Sequence, residues 1–321
     1  MHALILLVFA TLVLGCVGNP ELFSKPTNTP VPENYSALFS AENYSIGEIK
    51  LNISHPMMMD NFRWGEMPIK IFLDKAEMRE LDLQDLKKSM EEWEANTSGK
   101  ISFSLTENKS EADVLVSWRD DEKEKIKGGA LVLGEAGPPA AVWTGLFFVP
   151  AKGSVAKMEL LTVYRRWSPA TYLRPMHELG HVLGLDHPKL NDISIMHNFS
   201  YYGQRFTDDI KQTINELYKT PAEPDLAFEN FYINQTGGFV HYNLTITNRG
   251  IITSENYGIK FSSEDKTFWN QSASPLEPAY TQQLFGYFPV DSEISSMEIS
   301  INLNRSEIFK ENNKVIFRKI S

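Results

Sequence analysis

The stretch HELGHVLGLDH, residues 177–187, holds three of the seven histidines in a chain of 321 residues. On a helix, His177 and His181 lie four residues apart and share one face, so their imidazoles can bind the same ion. Gly184 tolerates the positive φ that ends a helix and reverses the chain. The reversal lets His187 approach as a third ligand. The spacing therefore predicts a helix and a return loop that surround one metal ion.

The donor set indicates which ion and which role. Neutral imidazole nitrogens suit Zn²⁺, and three protein ligands leave the fourth position open, as in catalytic zinc sites. Glu178 follows His177 directly, so it points away from the ion and is free to take a proton from a water. We predict one catalytic zinc ion held by His177, His181 and His187, with Glu178 as the general base. A zinc site that only binds is the alternative.

The same residues carry a resemblance to a known family. HELGHVLGLDH resembles the metzincin signature HExxHxxGxxH, and the surrounding segments are similar to the matrixin-like branch. In DISIMHNFS (192–200), Met196 stands where the family has its Met-turn methionine, a hydrophobic floor that does not bind the metal. The resemblance implies a zinc metalloendopeptidase that acts on proteins or peptides. It also implies that a substrate strand pairs with the sheet edge near Ala130 to Gly134.

The resemblance has departures that change the expected regulation and metal content. Matrixins are often kept latent by a cysteine on the zinc, but Cys16 is the only cysteine here. A second zinc site rich in histidine is not expected, since the four remaining histidines are scattered. They are His2, His55, His197 and His241. Calcium sites built from aspartates remain possible.

Residues 61–219 have the periodicity of an α+β domain. Alternating strands such as PIKIFLD (68–74) accompany an amphipathic segment with Leu86 and Trp93 at helical spacing and Asp82 as the expected N-cap. Strands alternating with helices in this order favour a mixed sheet with helices packed on it. The resemblance implies that this sheet belongs to a metzincin-like catalytic domain.

Residues 220–321 have a different hydrophobic pattern from residues 61–219. Apolar and polar residues alternate strictly in segments such as 240–246, and turn residues separate the segments, which predicts an all-β immunoglobulin-like sandwich. PDL (224–226), TNRG (247–250) and KENNK (310–314) resemble motifs of the CARDB adhesion module. The resemblance implies a role in spacing or surface contact.

The N-terminal residues predict export. An apolar run over residues 1–16 ends in Leu14, Gly15 and Cys16, which resembles the lipobox of a lipid-anchored signal peptide. An ordinary signal peptide and an uncleaved anchor helix are the alternatives. Residues 17–60, rich in Pro, Asn and Ser, read as a linker. We therefore expect the protein on the extracellular face of an archaeal or bacterial membrane, anchored through Cys16.

Two further features of the whole chain bear on its partners. A net charge of −10 argues against nucleic acid. N-glycosylation acceptors of the Asn-x-Ser/Thr type are frequent, which suggests a surface glycoprotein. They are Asn34, Asn43, Asn52, Asn96, Asn108, Asn198, Asn234, Asn243, Asn270 and Asn304. The alternative function is a non-catalytic adhesion or cell-envelope protein with a zinc-binding domain.

Overall fold

The structure is a computed structural model that describes residues 36–42, 44–119, 126–127, 130–131, 134–162, 171–188, 193–198, 203–263 and 266–320. The predicted signal segment of residues 1–16, with Cys16, lies outside the described residues. Within the described residues, no helix is both long enough and apolar enough to span a membrane.

The residues that the structure describes between 36 and 219 contain three α-helices and ten strands, most of them short. The strands are β1 Ser36–Glu42, β2 Ile69–Leu73, β3 Phe103–Thr106, β4 Val114–Arg119, β5 Ile126–Lys127, β6 Ala130–Leu131, β7 Gly134–Ala136, β8 Ala141–Trp143, β9 Phe148–Pro150 and β10 Ala156–Leu161. The helices are α1 Glu80–Asn96, α2 Leu173–Val182 and α3 Asp208–Leu217.

A five-stranded mixed sheet organises the first domain, in the order β3-β2-β4-β10-β7. Its first four strands run parallel, whereas β7 pairs antiparallel with β10 and forms one edge. The buried strand residues and the apolar faces of α1 and α2 share one core, which agrees with a mixed sheet with packed helices. This arrangement places the edge strand β7 beside α2.

Helix α1 begins earlier than the sequence predicts. Its N-cap is Arg79, and Asp82 is instead the third helical residue, where its carboxylate accepts a hydrogen bond from the backbone N–H of Arg79 at 2.9 Å. The prediction of Asp82 as the N-cap was therefore wrong. The carboxylate still satisfies a free N–H at the helix start, but from inside the first turn. Further along, Trp93 is fully buried and donates to the carbonyl of Met176 in α2 at 2.9 Å.

The described residues from 226 to 319 are built mainly from strands. They are β11 Leu226–Thr236, β12 Phe239–Asn248, β13 Tyr257–Ser263, β14 Lys266–Ala273, β15 Thr281–Pro289, β16 Ser296–Asn302 and β17 Lys314–Lys319. Together with β1 they follow the order β14-β13-β16-β17-β1-β11-β12-β15. Residues from both ends of this order enclose one apolar core, including Phe228, Val240, Phe261 and Ile299. The predicted order of an α+β domain and then a β-sandwich agrees with this structure, which is mostly β with few helices.

Strand β1 lies within residues 17–60, the segment expected to be a linker. Its first residues pair with β11 and its last with β17, so the strand passes from one sheet of the sandwich to the other. The chain then contributes Ile49 and Leu51 to a small apolar cluster that contains Phe147 of the first domain and Ile251 of the second. We call residues 36–60 the strap, because they contact both domains.

Candidate metal centre

Helix α2 and the loop after it bring together the three histidines predicted to bind metal. The Nε2 atoms of His177 and His181 are 3.0 Å apart, those of His181 and His187 are 3.2 Å apart, and those of His177 and His187 are 3.3 Å apart. Among the described residues, this trio is the group of His, Cys, Asp and Glu side chains arranged to hold a metal ion. The three rings therefore converge on one point through the same ring nitrogen.

The opposite ring nitrogens explain this orientation. Nδ1 of His177 lies 2.7 Å from the carbonyl oxygen of Ile195, and Nδ1 of His181 lies 2.8 Å from that of Leu185. A carbonyl can only accept, so each Nδ1 carries the proton and donates it. Each Nε2 then keeps its lone pair for a ligand, the arrangement usual for metal-binding histidines.

The separations fit zinc. A tetrahedral ion with Zn–N bonds of about 2.0–2.1 Å holds its ligand atoms about 3.3 Å apart. The observed Nε2 separations of 3.0–3.3 Å are close to this value. Neutral imidazole nitrogens also belong to the ligand types that zinc prefers. The cluster can therefore hold a metal ion, and His177, His181 and His187 are the residues that would bind it.

Burial keeps these imidazoles neutral. Burial, together with the neighbouring histidines, lowers the pKa of His177 to about 3 and that of His181 to about 4. The pKa of His187 is also lowered, mainly by burial. Since a metal binds the unprotonated ring, the trio is ready to accept an ion well below neutral pH.

The turn that delivers His187 depends on Gly184. This glycine has φ of +88°, as expected from the sequence, and a β-carbon there would lie 2.8 Å from the ring of Phe62. A side chain would thus meet both backbone strain and a close contact. The backbone of the turn also pairs with the strap, because Met58 N–H donates to the carbonyl of Gly184 at 2.8 Å and Asp186 N–H donates to that of Pro56 at 2.9 Å.

His55 in the strap is a residue of the site that the sequence did not reveal. It is 2% exposed, with Nδ1 2.8 Å from a carboxylate oxygen of Asp209 and Nε2 2.9 Å from the carbonyl oxygen of Asp186. Its backbone N–H donates to Thr213 in α3 at 2.7 Å. His55 thus connects α3 to the residue before His187. It lies 122 positions from the first ligand, and no spacing rule links the two.

Met196 lies where the resemblance placed it, in a turn against α2. It is fully buried, and a β-carbon on Gly180 would overlap its sulfur atom. The preceding carbonyl, that of Ile195, accepts the hydrogen bond from His177. The turn therefore fills the space beneath α2, and its carbonyl fixes the ring of His177. The requirement for glycine between His177 and His181 follows from this close approach.

Glu178 is 5% exposed and lies against the edge strand. A β-carbon on Gly134, the first residue of β7, would overlap the Glu178 carboxyl group. Burial raises the pKa of Glu178 to about 8, against the lowering influence of Arg174. A glutamate with a pKa near neutrality can both accept and release a proton at physiological pH.

Comparison with known protein families identifies a relationship for the first domain. Residues 66–219, just under half of the chain, match the family model Matrixin. This part of the chain is matrixin-like, as the sequence predicted, and the family is one of metallopeptidases. A search of curated proteins found no match.

A solved structure is also similar to part of the chain. It is the CARDB domain of a Pyrococcus furiosus protein, determined as a complex with di-metal ions. The identity is 15%, the similarity covers 31% of this chain and 90% of that one, and the TM-score is 0.26. With a TM-score this low, the comparison supports no conclusion about the function of this chain.

Proposed function

We propose that the protein is a zinc-dependent endopeptidase in which Glu178 is the general base. One observation carries the proposal: three Nε2 atoms converge within 3.3 Å, on the helix that also holds a buried glutamate. The matrixin-like character of residues 66–219 supports it. The assignment of His177, His181 and His187 as ligands and of Met196 as a floor belongs to the same proposal.

In this proposal, the metal ion and Glu178 have separate roles in peptide hydrolysis. A bound zinc ion supplies Lewis acidity, which polarises the scissile carbonyl and makes a water molecule more acidic. The Glu178 carboxylate takes a proton from the attacking water, and the resulting carboxylic acid delivers it to the leaving amine. Burial raises the pKa of Glu178, so its carboxylate binds a proton more strongly than a free glutamate does.

The edge strand β7 offers a place for the substrate. The sequence placed the docking edge near Ala130 to Gly134, and the described edge of the five-stranded sheet is Gly134–Ala136. An extended peptide pairing with β7 gains main-chain hydrogen bonds. Because Gly134 touches Glu178, such a peptide would lie beside the general base.

Substitution of the base tests the activity. Glu178→Gln keeps the shape of the side chain but cannot take a proton, so we expect peptide cleavage to fall by about a hundredfold to ten-thousandfold with zinc content unchanged. Glu94→Gln, at an exposed position on α1, is the matched control and should cleave like the wild type. Digestion of a peptide library, with and without chelator, measures the effect. Wild-type protein that binds zinc but cleaves nothing would support the non-catalytic envelope protein instead.

We also propose that the protein works outside the cell, attached through a lipid on Cys16. The supporting observation is the apolar run that ends in Gly15 and Cys16. Mass spectrometry of the native N-terminus tests this directly. A lipid-modified Cys16 as the first residue is expected, and a chain that still begins at Met1 would contradict the anchor.

A further inference from the structure

The outer face of one sheet of the sandwich is rich in aromatic and amide side chains. Its outward positions, in the described strands β11, β12 and β15, alternate with buried core residues, and apart from Glu229 at the bulge of β11 they include no Asp, Glu, Lys or Arg. The uncharged positions are Asn230, Tyr232, Asn234, Thr236, Phe239, His241, Asn243, Thr245, Thr247, Thr281, Gln283, Phe285, Tyr287 and Pro289. In a chain of net charge −10, a face of this size with so little charge suggests that something neutral covers it.

Asn243 lies in the middle of this face, between two exposed rings. The strand register pairs it with Tyr232 on β11 and with Phe285 on β15, so the three side chains form one row across the sheet. Directly opposed side chains on neighbouring strands stand about 5 Å apart. Tyr232 is 52% exposed and Phe285 is 75% exposed, the largest value among the large exposed hydrophobic residues of the described chain.

Asn243 is also the acceptor of the sequon Asn243-Leu244-Thr245. Its amide oxygen accepts a hydrogen bond from Gln283 at 3.0 Å. Its Nδ2, the atom to which a sugar attaches, has no hydrogen bond among the described residues. The neighbouring acceptor Asn234 differs, because its Nδ2 donates to Thr236 at 3.2 Å.

We propose that Asn243 carries an N-linked glycan whose first sugars lie between Tyr232 and Phe285. A sugar ring has apolar C–H faces that stack on aromatic rings, and it has hydroxyl groups that bond to amides such as Gln283. The sugar and the side chains that would contact it are neutral, which agrees with the scarcity of charge on this face. The glycan would cover the aromatic rings and so protect the sheet from association with other apolar surfaces. The proposal concerns the sandwich and is independent of peptidase activity.

The first test is occupancy. The full chain is secreted from cultured animal cells behind a secretion signal of that host, so that the predicted export of the native chain is not at issue. Glycopeptide mass spectrometry should find Asn243 glycosylated, and Asn243→Gln should remove that mass alone. Asn243 found without sugar in the folded, secreted protein would overturn the proposal.

The second test is contact between the sugar and the rings. Enzymatic removal of the glycan should lower the Tm by about 3 °C, an effect in the range of a single aromatic contact. Phe285→Ser should abolish most of that difference, because the sugar then has no ring to pack on. Asn304→Gln removes an exposed sequon outside the aromatic face and should leave the Tm unchanged. An equal effect of glycan removal with and without Phe285 would overturn the stacking.

Discussion

The metal centre and one end of the sandwich both bury polar side chains, and the two regions use them differently. In the sandwich, Asn248 is fully buried and makes four hydrogen bonds with the backbone. Its amide oxygen accepts from Asp225 N–H at 3.1 Å and Gly250 N–H at 2.9 Å, and its Nδ2 donates to the carbonyls of Ile252 at 2.8 Å and Leu276 at 2.7 Å. Every hydrogen-bonding position of the amide is directed at a neighbouring loop.

At the metal centre, by contrast, the ring nitrogens of the buried histidines do not all have backbone partners. His181 uses Nδ1 to donate to a carbonyl, and its Nε2 faces the Nε2 atoms of His177 and His187. The Nε2 lone pairs of His177 and His181 face one point and repel one another unless a cation lies between them. Buried polar groups with complete backbone partners therefore indicate structure, whereas convergent lone pairs indicate a ligand.

The largest effect expected from this contrast is at a ligand. His181→Ala removes one of the three proposed metal ligands, so zinc binding and peptide cleavage should fall together, by at least about a thousandfold. The metal-free protein should keep its fold. Zinc titration and peptide hydrolysis measure the change, and His241→Ala, on the exposed face of the sandwich, is the control. Full activity of the His181 variant would show that the converging histidines do not hold a metal ion needed for cleavage.

The reverse pattern is expected in the sandwich. Asn248→Ala leaves two N–H groups and two carbonyls without their partner, and should lower the free energy of unfolding by about 2–4 kcal/mol. Zinc stoichiometry of the folded fraction should not change. Asn302→Ala, at an exposed strand end, is the matched control. Denaturant unfolding gives the energies, and a variant with wild-type stability would show that these hydrogen bonds contribute little.

A smaller effect should appear where the two regions meet in the strap. His55→Gln shortens the connection between Asp209 and the carbonyl of Asp186, so the loop that carries His187 is less firmly held. We expect the Kd for zinc to rise about tenfold, as for other partners of metal-binding loops. Competition with a chelator, far below the Tm, measures the Kd. An unchanged Kd together with a lowered Tm would mean that His55 only stabilises the fold.

The last expected effect is a pH dependence of the metal-free protein. The pKa of Glu178 is 4.5 as a free group and about 8 when buried in the fold, so ionisation in the folded state costs stability as pH rises from 4.5 to 8. Glu178→Gln does not titrate. Its stability advantage over the wild type should therefore be absent at pH 4 and reach about 3–5 kcal/mol above pH 8. Chemical unfolding in chelator measures it, and an advantage that shrinks with rising pH would have the wrong sign.

The sequence predicted the parts of this molecule that are encoded locally. Helical spacing placed His177 and His181 on one face, and the φ of Gly184 follows from its position after the helix. Alternation of apolar residues predicted the strands of the sandwich. These features depend on contacts within a few residues, which periodicity reports directly.

What the sequence could not predict depends on contacts between distant segments. β1 lacks strict alternation, and it gains its order from pairing with strands more than 190 positions away. Nothing in the local sequence distinguishes His55, whose role depends on its contacts with α3 and with the loop that carries His187. Likewise, PDL, TNRG and KENNK are short motifs in sequence, but in the structure Asp225, Asn248 and Asn312 meet in one hydrogen-bonded cluster.

The central claim is that three imidazoles bind one zinc ion, and X-ray absorption of the metal-loaded protein tests it most directly. We expect one zinc per chain, with three nitrogen ligands at about 2.0–2.1 Å and one further oxygen. A chain that binds no zinc, or whose zinc keeps the same ligand shell after His187→Ala, would contradict the account.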